Sequence, residues 1–556
     1  MPARKKPRTL QDLSLRSIGG IIKEASYLIC DQKDEPSYRQ FKAKLIRDLQ
    51  VHLFQDTVHI FHKLITKEIL IALSEIQYQY ENGGESDMHI QRNCYNLTKE
   101  QLDLIEVLRH PLVREINISK EFLGPRWKLH WKVVCKLSSR FIDMDNLEIL
   151  NLGNWNCGKF SLLAEHNQEE GEFLRFLPKL IRITVSNVSN NFFQAVGKYC
   201  PNLILLKVHS SDIGDRVLSW LSKCRKLQYV ELYENQNVSP VGYAQMLRSN
   251  PQLKSLGRCE CFGSVLTTIF DDNSIYRKSV VNVPEFLNLV EIDSSERIAT
   301  KELMFLIQNC PKVKKLRIKY YPDDYRFDEK ESSYLSALIG LDQLTDIRLI
   351  GANFYSHLFF QFIYIQGWQL LRMELTSVDE LNINAIKTMG EHCLNLEVLS
   401  FTCCHFQLSN GDKKTIDDLT RPEKIYVPER YFKKLQNLSF LLLSPVHLCI
   451  AKYCLAHALE LKKLIFDQYR NDIEEQLLQS IFEWNPLLHL EHFEIGSGAG
   501  KLSVHAANLV IQNCTNLKYI GKLARWGKIT HDQIVGIKSE AQSRNYDLVI
   551  DHDDTI

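Results

Sequence analysis

The sequence predicts an α/β solenoid: a parallel sheet built one short strand per repeat, helices behind it, and a small all-helical module in front. Three observations carry that expectation. First, a pattern of apolar-x-x-apolar-x-apolar returns along most of the chain, beginning at Val113, Leu147, Leu180, Leu203, Leu227, Leu253, Leu289, Val313, Leu344, Leu370, Leu396, Leu435, Leu461, Leu490 and Leu517, at a mean spacing of about 29 residues. Second, many of these starts follow a Cys-Pro, Asn-Pro or Cys-x-Asn step, as at Cys200-Pro201, Asn250-Pro251, Cys310-Pro311, Cys393-Leu394-Asn395, Asn485-Pro486 and Cys514-Thr515-Asn516. Third, residues 9–76 carry helical periodicity and no repeat.

The repeat unit follows from its own chemistry. In Leu180-Ile181-Arg182-Ile183-Thr184-Val185 the alternate residues point one way, as in a half-buried strand. Phe192, Phe193, Val196 and Tyr199 then recur at helical spacing before Cys200-Pro201. Proline lacks the N–H needed to continue a helix, so it closes the return segment and hands the chain to the next strand. The preceding cysteine is read as a small buried hydrophobe. A unit of this kind cannot bury its apolar face alone and needs stacked neighbours.

These residues resemble the cysteine-containing type of leucine-rich repeat found in F-box/leucine-rich-repeat proteins, over about residues 110–525. The resemblance implies a curved sheet with a concave binding face. The organisation expected is an N-terminal helical module over 1–78, a linker over 79–109, about fifteen repeats over 110–525 and a C-terminal cap over 526–556. Long steps between repeats leave polar insertions near 320–332 and 407–430; loops of this kind serve a binding face or are tolerated as neutral extensions.

In the helical module, Leu10, Leu13, Ile18, Ile21 and Ile22 set an amphipathic pattern that is expected to break at Gly19-Gly20, with further helices over about 38–53 and 67–76. Thr9-Leu10-x-x-x-Ser14-x-x-x-Ile18 is similar to the BC-box of elongin-binding substrate receptors. Leu10, Ser14 and Ile18 share one helix face at i, i+4 and i+8 and could enter a partner's groove. Ser14 stands where that family prefers Cys, no aliphatic-Pro element accompanies Pro36, and no F-box pattern fits 9–76. The resemblance implies a substrate receptor of a cullin-RING ubiquitin ligase, with elongin C or a Skp-like adaptor and a cullin as partners, and an unidentified protein as substrate. The other readings are a cap on the repeat array and a scaffold or regulatory binder without a ligase.

Composition narrows the field. The chain has 556 residues, 68 Lys+Arg and 67 Asp+Glu, a net charge of +1 that disfavours charge-driven binding to nucleic acid or to a membrane surface. No run approaches the ~20 apolar residues of a transmembrane helix. Fifteen cysteines without a secretory signal read as reduced thiols of the cytoplasm, with the nucleus a second location through Arg4-Lys5-Lys6-Pro7-Arg8.

Chemistry is not expected. Gly496-Ser497-Gly498-Ala499-Gly500-Lys501 follows a strand as a phosphate loop does, but it is one residue short and Leu502 stands at the metal-holding position. Cys259-x-Cys261 and Cys403-Cys404-His405 lack a second pair at zinc-ligand spacing. No cofactor, metal or catalytic residue is assigned. What remains is surface. In the repeats from Val313, Leu344 and Leu370 the outward strand positions are Lys315, Arg317, Lys319, Asp346, Arg348, Arg372 and Glu374, five cations against two anions. Lys315, Arg317, Lys319, Arg348 and Arg372 are therefore the expected concave contact patch for an acidic partner segment, with a solvated, internally paired charge ladder as the other reading.

Overall fold

Several return helices end at a cysteine or asparagine, and a strand begins a few residues later. In the computed structural model a strand opens two residues after every one of the fifteen repeat starts. The structure describes residues 10–31, 37–55, 57, 61–82, 104–119, 144–153, 171–209, 213–233, 237–271, 285–320, 335–407, 431–443, 448–468, 473, 475–496 and 501–551. Two compact units divide the chain: Arg8–Pro284, and Glu285–Ile556 together with Met1–Pro7.

In the first unit the strands are β1 (Glu115–Asn117), β2 (Ile149–Asn151), β3 (Arg182–Ser186), β4 (Leu205–His209), β5 (Tyr229–Tyr233) and β6 (Ser255–Cys259). They pair parallel in chain order. The second unit holds β7 (Glu291–Arg297), β8 (Lys315–Lys319), β9 (Asp346–Ile350), β10 (Arg372–Thr376), β11 (Val398–Thr402), β12 (Asn437–Leu443), β13 (Lys463–Gln468), β14 (His492–Ile495), β15 (Tyr519–Gly521) and β16 (Val549–Ile550). These too pair parallel, each with the next. β16 lies in the segment read as a C-terminal cap and is a strand that the leucine spacing did not reveal. Parallel neighbours need a crossover, and every crossover is one repeat. The chain has the leucine-rich-repeat solenoid fold, with an all-helical module before it.

The alternation is visible in burial. Leu316 and Ile318 of β8 are buried, whereas Lys315, Arg317 and Lys319 lie on the opposite, open face of the sheet. Return helices are started by hydrogen-bonding caps: Ser189 accepts from the Asn191 amide, Ser239 from Gly242 and Asn382 from Ala385. They end where expected, with Cys200, Asn250, Cys310, Cys393 and Cys514 as C-cap residues. Those cysteines are buried and unoxidised. Asn485 replaces the thiol by a carboxamide that donates to the carbonyls of Leu455 and Ala458, at 2.7 and 3.0 Å. On the edge before the strands, Lys179, Lys226, Lys312 and Lys434 each donate to the asparagine of the previous repeat: Asn146, Asn202, Asn288 and Asn395.

The N-terminal module has helices α1 (Leu10–Asp31), α2 (Tyr38–Gln50) and α3 (His62–Asn82), with a π-helical turn at Val51–Gln55. Contrary to expectation, α1 does not break at Gly19-Gly20. Glycine costs about 1 kcal/mol per position in a helix, but Ile22, Ala25 and Ile29 beyond it are buried and α1 packs on α3, which offsets that cost. Among the described residues no helix is long and apolar enough to cross a membrane.

Candidate recognition surface

Two surfaces emerge from the sequence, and the structure gives each a geometry. On α1, Ser14 is exposed and Ile18 is only half-buried, while the Leu10 side chain lies outside the described residues. Ile22, Ala25, Ser26 and Ile29 face inward. The outward line is Ser14, Ser17, Ile21 and Leu28, with Ile21 and Leu28 at 42% and 48% exposure, large values for aliphatic side chains. Thus Ile18 turns partly away from the line that Ser14 occupies, and the apolar part of that line continues at Ile21. Spacing of four residues finds one helix face but does not say which face a neighbouring helix covers.

The rest of the module is fastened to the first repeat. Gln50 donates to the carbonyls of Glu106 and Arg109, at 3.0 and 2.6 Å. Phe54 stacks on His110 at 5.4 Å between ring centres, and Lys63 pairs with Glu115 of β1 at 2.9 Å. Burial and the neighbouring His62 lower the pKa of His110, favouring the neutral ring that stacks on Phe54.

The second surface is the open face of the sheet in Glu285–Ile556. Register brings Lys315, Asp346 and Arg372 into one row, Arg317, Arg348 and Glu374 into a second, and Lys319 beside Ile350 and Thr376. The sequence patch is thus one contiguous area. Its charge, however, is answered within the fold. β7 sets Glu291 opposite Lys315 and Asp293 opposite Arg317, with ion pairs of 2.5 and 3.1 Å. Arg348 pairs with Glu374 at 3.2 Å, and Arg372 reaches Asp346 at 3.3 Å and Glu374 at 3.6 Å. Counting β7 adds Glu291 and Asp293 and also Arg297, in register with Lys319, which makes six cations against four anions. The excess read from three strands omitted the two carboxylates that the next strand supplies.

Beyond the ladder the same face changes character. Val398, Ser400 and Thr402 of β11, and Asn437 and Ser439 of β12, are uncharged and half-buried. Farther on, His492 stacks on Tyr519 at 4.3 Å, and Glu494 lies 3.4 Å from His492 and 2.6 Å from Lys522. The hydrogen bond from His492, then Lys522, holds the Glu494 carboxyl down at about 2 against the opposing effect of burial. No residue-type motif marked β11 and β12; the signal that could have found them is the lack of charge in two consecutive outward rows.

The decoys also have a structure. A Cβ on Gly496 would sit 2.6 Å from the Asp467 carboxylate, a neighbour that repels phosphate; residues 497–500 lie outside the described part. Cys404 donates to the Leu375 carbonyl and His405 lies on Asp379, so these two turn to different partners. Burial pushes the thiols of Cys200, Cys310 and Cys514 up to about 12 and that of Cys224 to about 11, far from a nucleophile's range. The insertion near 407–430 and most of that near 320–332 lie outside the described residues.

No family model matches the chain, and no curated protein matches it. Among solved structures it is similar to an internalin of Listeria monocytogenes at 11% identity, covering 80% of this chain and 96% of that one with a TM-score of 0.31. It is similar to the mouse RP105/MD-1 complex at 12% identity, with 78% and 73% covered and a TM-score of 0.30. It is also similar to the yeast Rad7 and Elc1 complex at 12% identity, with 66% and 76% covered and a TM-score of 0.28. The fold assignment stands on the parallel ladder and the repeat register.

Proposed function

We propose that this chain is a non-enzymatic protein-binding subunit that acts as the substrate receptor of a cullin-RING ubiquitin ligase. In this reading α1 docks a small adaptor of the elongin C or Skp type through Leu10, Ser14 and Ile18, and the adaptor joins a cullin. The open sheet face holds the protein to be modified, with Lys315, Arg317, Lys319, Arg348 and Arg372 among its contact residues. The receptor supplies no chemistry; it raises the local concentration of substrate beside the loaded ubiquitin carrier. The observation that carries the reading is the unburied line of Ser14, Ile21 and Leu28 on a helix whose other side is packed. A helix presenting apolar side chains outward suits insertion into a partner's groove. The buried reduced thiols suit a cytoplasmic or nuclear setting.

A second reading has its own support. The hydrogen bonds of Gln50 and the pairing of Lys63 with Glu115 suit a module that seals the first repeat of a ligase-free scaffold. Purified full-length chain mixed with elongin C, a Skp-type adaptor or a cullin decides between them. The receptor reading expects one adaptor to co-elute on gel filtration and to be lost in Leu10→Asp and Ser14→Asp. Failure of all three to bind overturns it and favours the scaffold.

A further inference from the structure

The open face of β10, β11 and β12 carries polar groups that find no hydrogen-bond partner among the described residues. Register aligns Arg372, Val398, Asn437 and Lys463 in one row. Glu374, Ser400, Ser439 and Ile465 form the next, and Thr376, Thr402, Leu441 and Asp467 a third. The side chains of Thr376, Ser400, Thr402, Asn437 and Ser439 are half-buried and make no hydrogen bond within the described residues. On one side the equivalent positions are engaged by the ion-pair ladder of β7–β10, and beyond β13 they are engaged by the His492, Glu494 and Tyr519 group.

We infer that this floor binds an extended, uncharged stretch of a partner polypeptide about four residues long, with a carboxylate at its β13 end. The inference deepens the receptor reading and rests on it for the premise that this face holds a polypeptide. Three arguments select the occupant. A hydroxyl or carboxamide both donates and accepts, which suits a peptide backbone that presents N–H and C=O in alternation. An ionised side chain over Ser400 and Ser439 meets no counter-charge, because Glu374 is already taken by Arg348 and Arg372, so its desolvation goes uncompensated. Lys463, in register with Asn437, is the first cation past the floor, and it favours an acidic residue over that row, four residues along β13 from the like-charged Asp467. The length follows from spacing: crossing from β10 to β13 takes three strand steps of about 4.8 Å, or roughly four extended residues at ~3.3–3.6 Å each.

The probe is a phage-displayed library of random 12-residue peptides panned on the full-length chain, followed by fluorescence polarisation with the selected peptide. The expected consensus is about four consecutive uncharged residues beside an Asp or Glu. Ser400→Ala with Ser439→Ala is expected to weaken binding about tenfold, and Ser400→Arg to abolish it. Lys463→Glu should turn the preference from acidic to basic at the flank. Asp293→Asn, on β7 and three strands from β10, should leave the affinity within about twofold. No enriched consensus, an acidic consensus throughout, or a consensus indifferent to both Ser400 variants overturns the inference. Adaptor binding is scored on the same preparations. Adaptor without peptide binding sinks the floor and spares the receptor; peptide without adaptor binding sinks the ligase reading and spares the floor.

Discussion

The ladder on β7–β10 and the floor on β10–β12 share one backbone, one register and one alternation of side chains, yet they do opposite things. On the ladder, the first two rows answer their own charges: Glu291 meets Lys315, Asp293 meets Arg317, and Glu374 meets Arg348. An acidic partner there must compete with carboxylates already in place. On the floor, Ser400, Ser439 and Thr402 have no such occupants among the described residues, which leaves their donors and acceptors to a partner. Stacked repeats therefore separate two quantities that a composition count merges, the charge present on a face and the charge available to a partner.

The largest test concerns what holds the floor in place. Phe401, Phe440 and Phe466 stand on the other face of β11, β12 and β13 as a continuous stack, with ring centres 5.6 and 5.5 Å apart and planes within 18° and 8°. All three are essentially inaccessible. Phe440→Ala is expected to cost about 3–5 kcal/mol in chemical unfolding through lost burial and a cavity, and to abolish capture of the selected peptide. A loss below about 1 kcal/mol would show that the rings do not support the floor, and the contrast with the ladder would lose its rigid scaffold.

Most of the fold was legible because the repeat is self-reporting. Leu, Ile and Val at fixed offsets, with Pro201, Pro251 and Pro311 as stops, fix strand starts without any long-range knowledge. β16 escaped because Val549 and Ile550 follow Asp547 and Leu548, with no leucine three positions ahead of a second one. The continuity of α1 escaped because Gly19 and Gly20 carry no record of the buried Ile22 and Ile29 that offset their helix cost. The recognition face was legible only in part. The positions of Lys315, Arg317, Arg348 and Arg372 followed from alternation, but their pairing depended on which strand lies next to β8. The unused hydroxyls were invisible for a simpler reason: serine and threonine are ordinary, and only the absence of a partner distinguishes them.

A middle-sized effect belongs to the group beyond the floor, where charge is buried more deeply than on the ladder. Glu494 has 15% side-chain exposure, and its carboxyl is held at about 2 against an ordinary 4.5. A depressed carboxyl pKa contributes stability that is fully present above the unfolded value and is lost as pH falls through the folded one. Wild type should therefore exceed Glu494→Gln by about 2 kcal/mol above pH 5, a figure kept below the full linkage value because Lys522 and His492 remain partly wetted. The gap should narrow from pH 4.5 downward and close near pH 2. Urea unfolding at five or six pH values measures it, and a gap independent of pH would mean that Glu494 acts by packing alone.

The smallest effect is the most discriminating for the comparison itself. If the ladder is a set of exposed pairs that merely neutralise one another, each is worth little in water. Arg372 is about half exposed and splits its guanidinium between Asp346 and Glu374. A double-mutant cycle through Arg372→Gln and Asp346→Asn should give a coupling of about 0.5 kcal/mol at low salt, falling further at high ionic strength as screening shortens the reach of the pair. Peptide affinity should move by less than about twofold in Asp346→Asn, since Asp346 on β9 lies one strand or more from the floor's hydroxyls. A coupling above about 2 kcal/mol that resists salt would place the ladder among tightly held polar networks. The distinction between a face that answers its own charges and one that waits for a partner would then have to be redrawn around Arg372, the residue that stands between them.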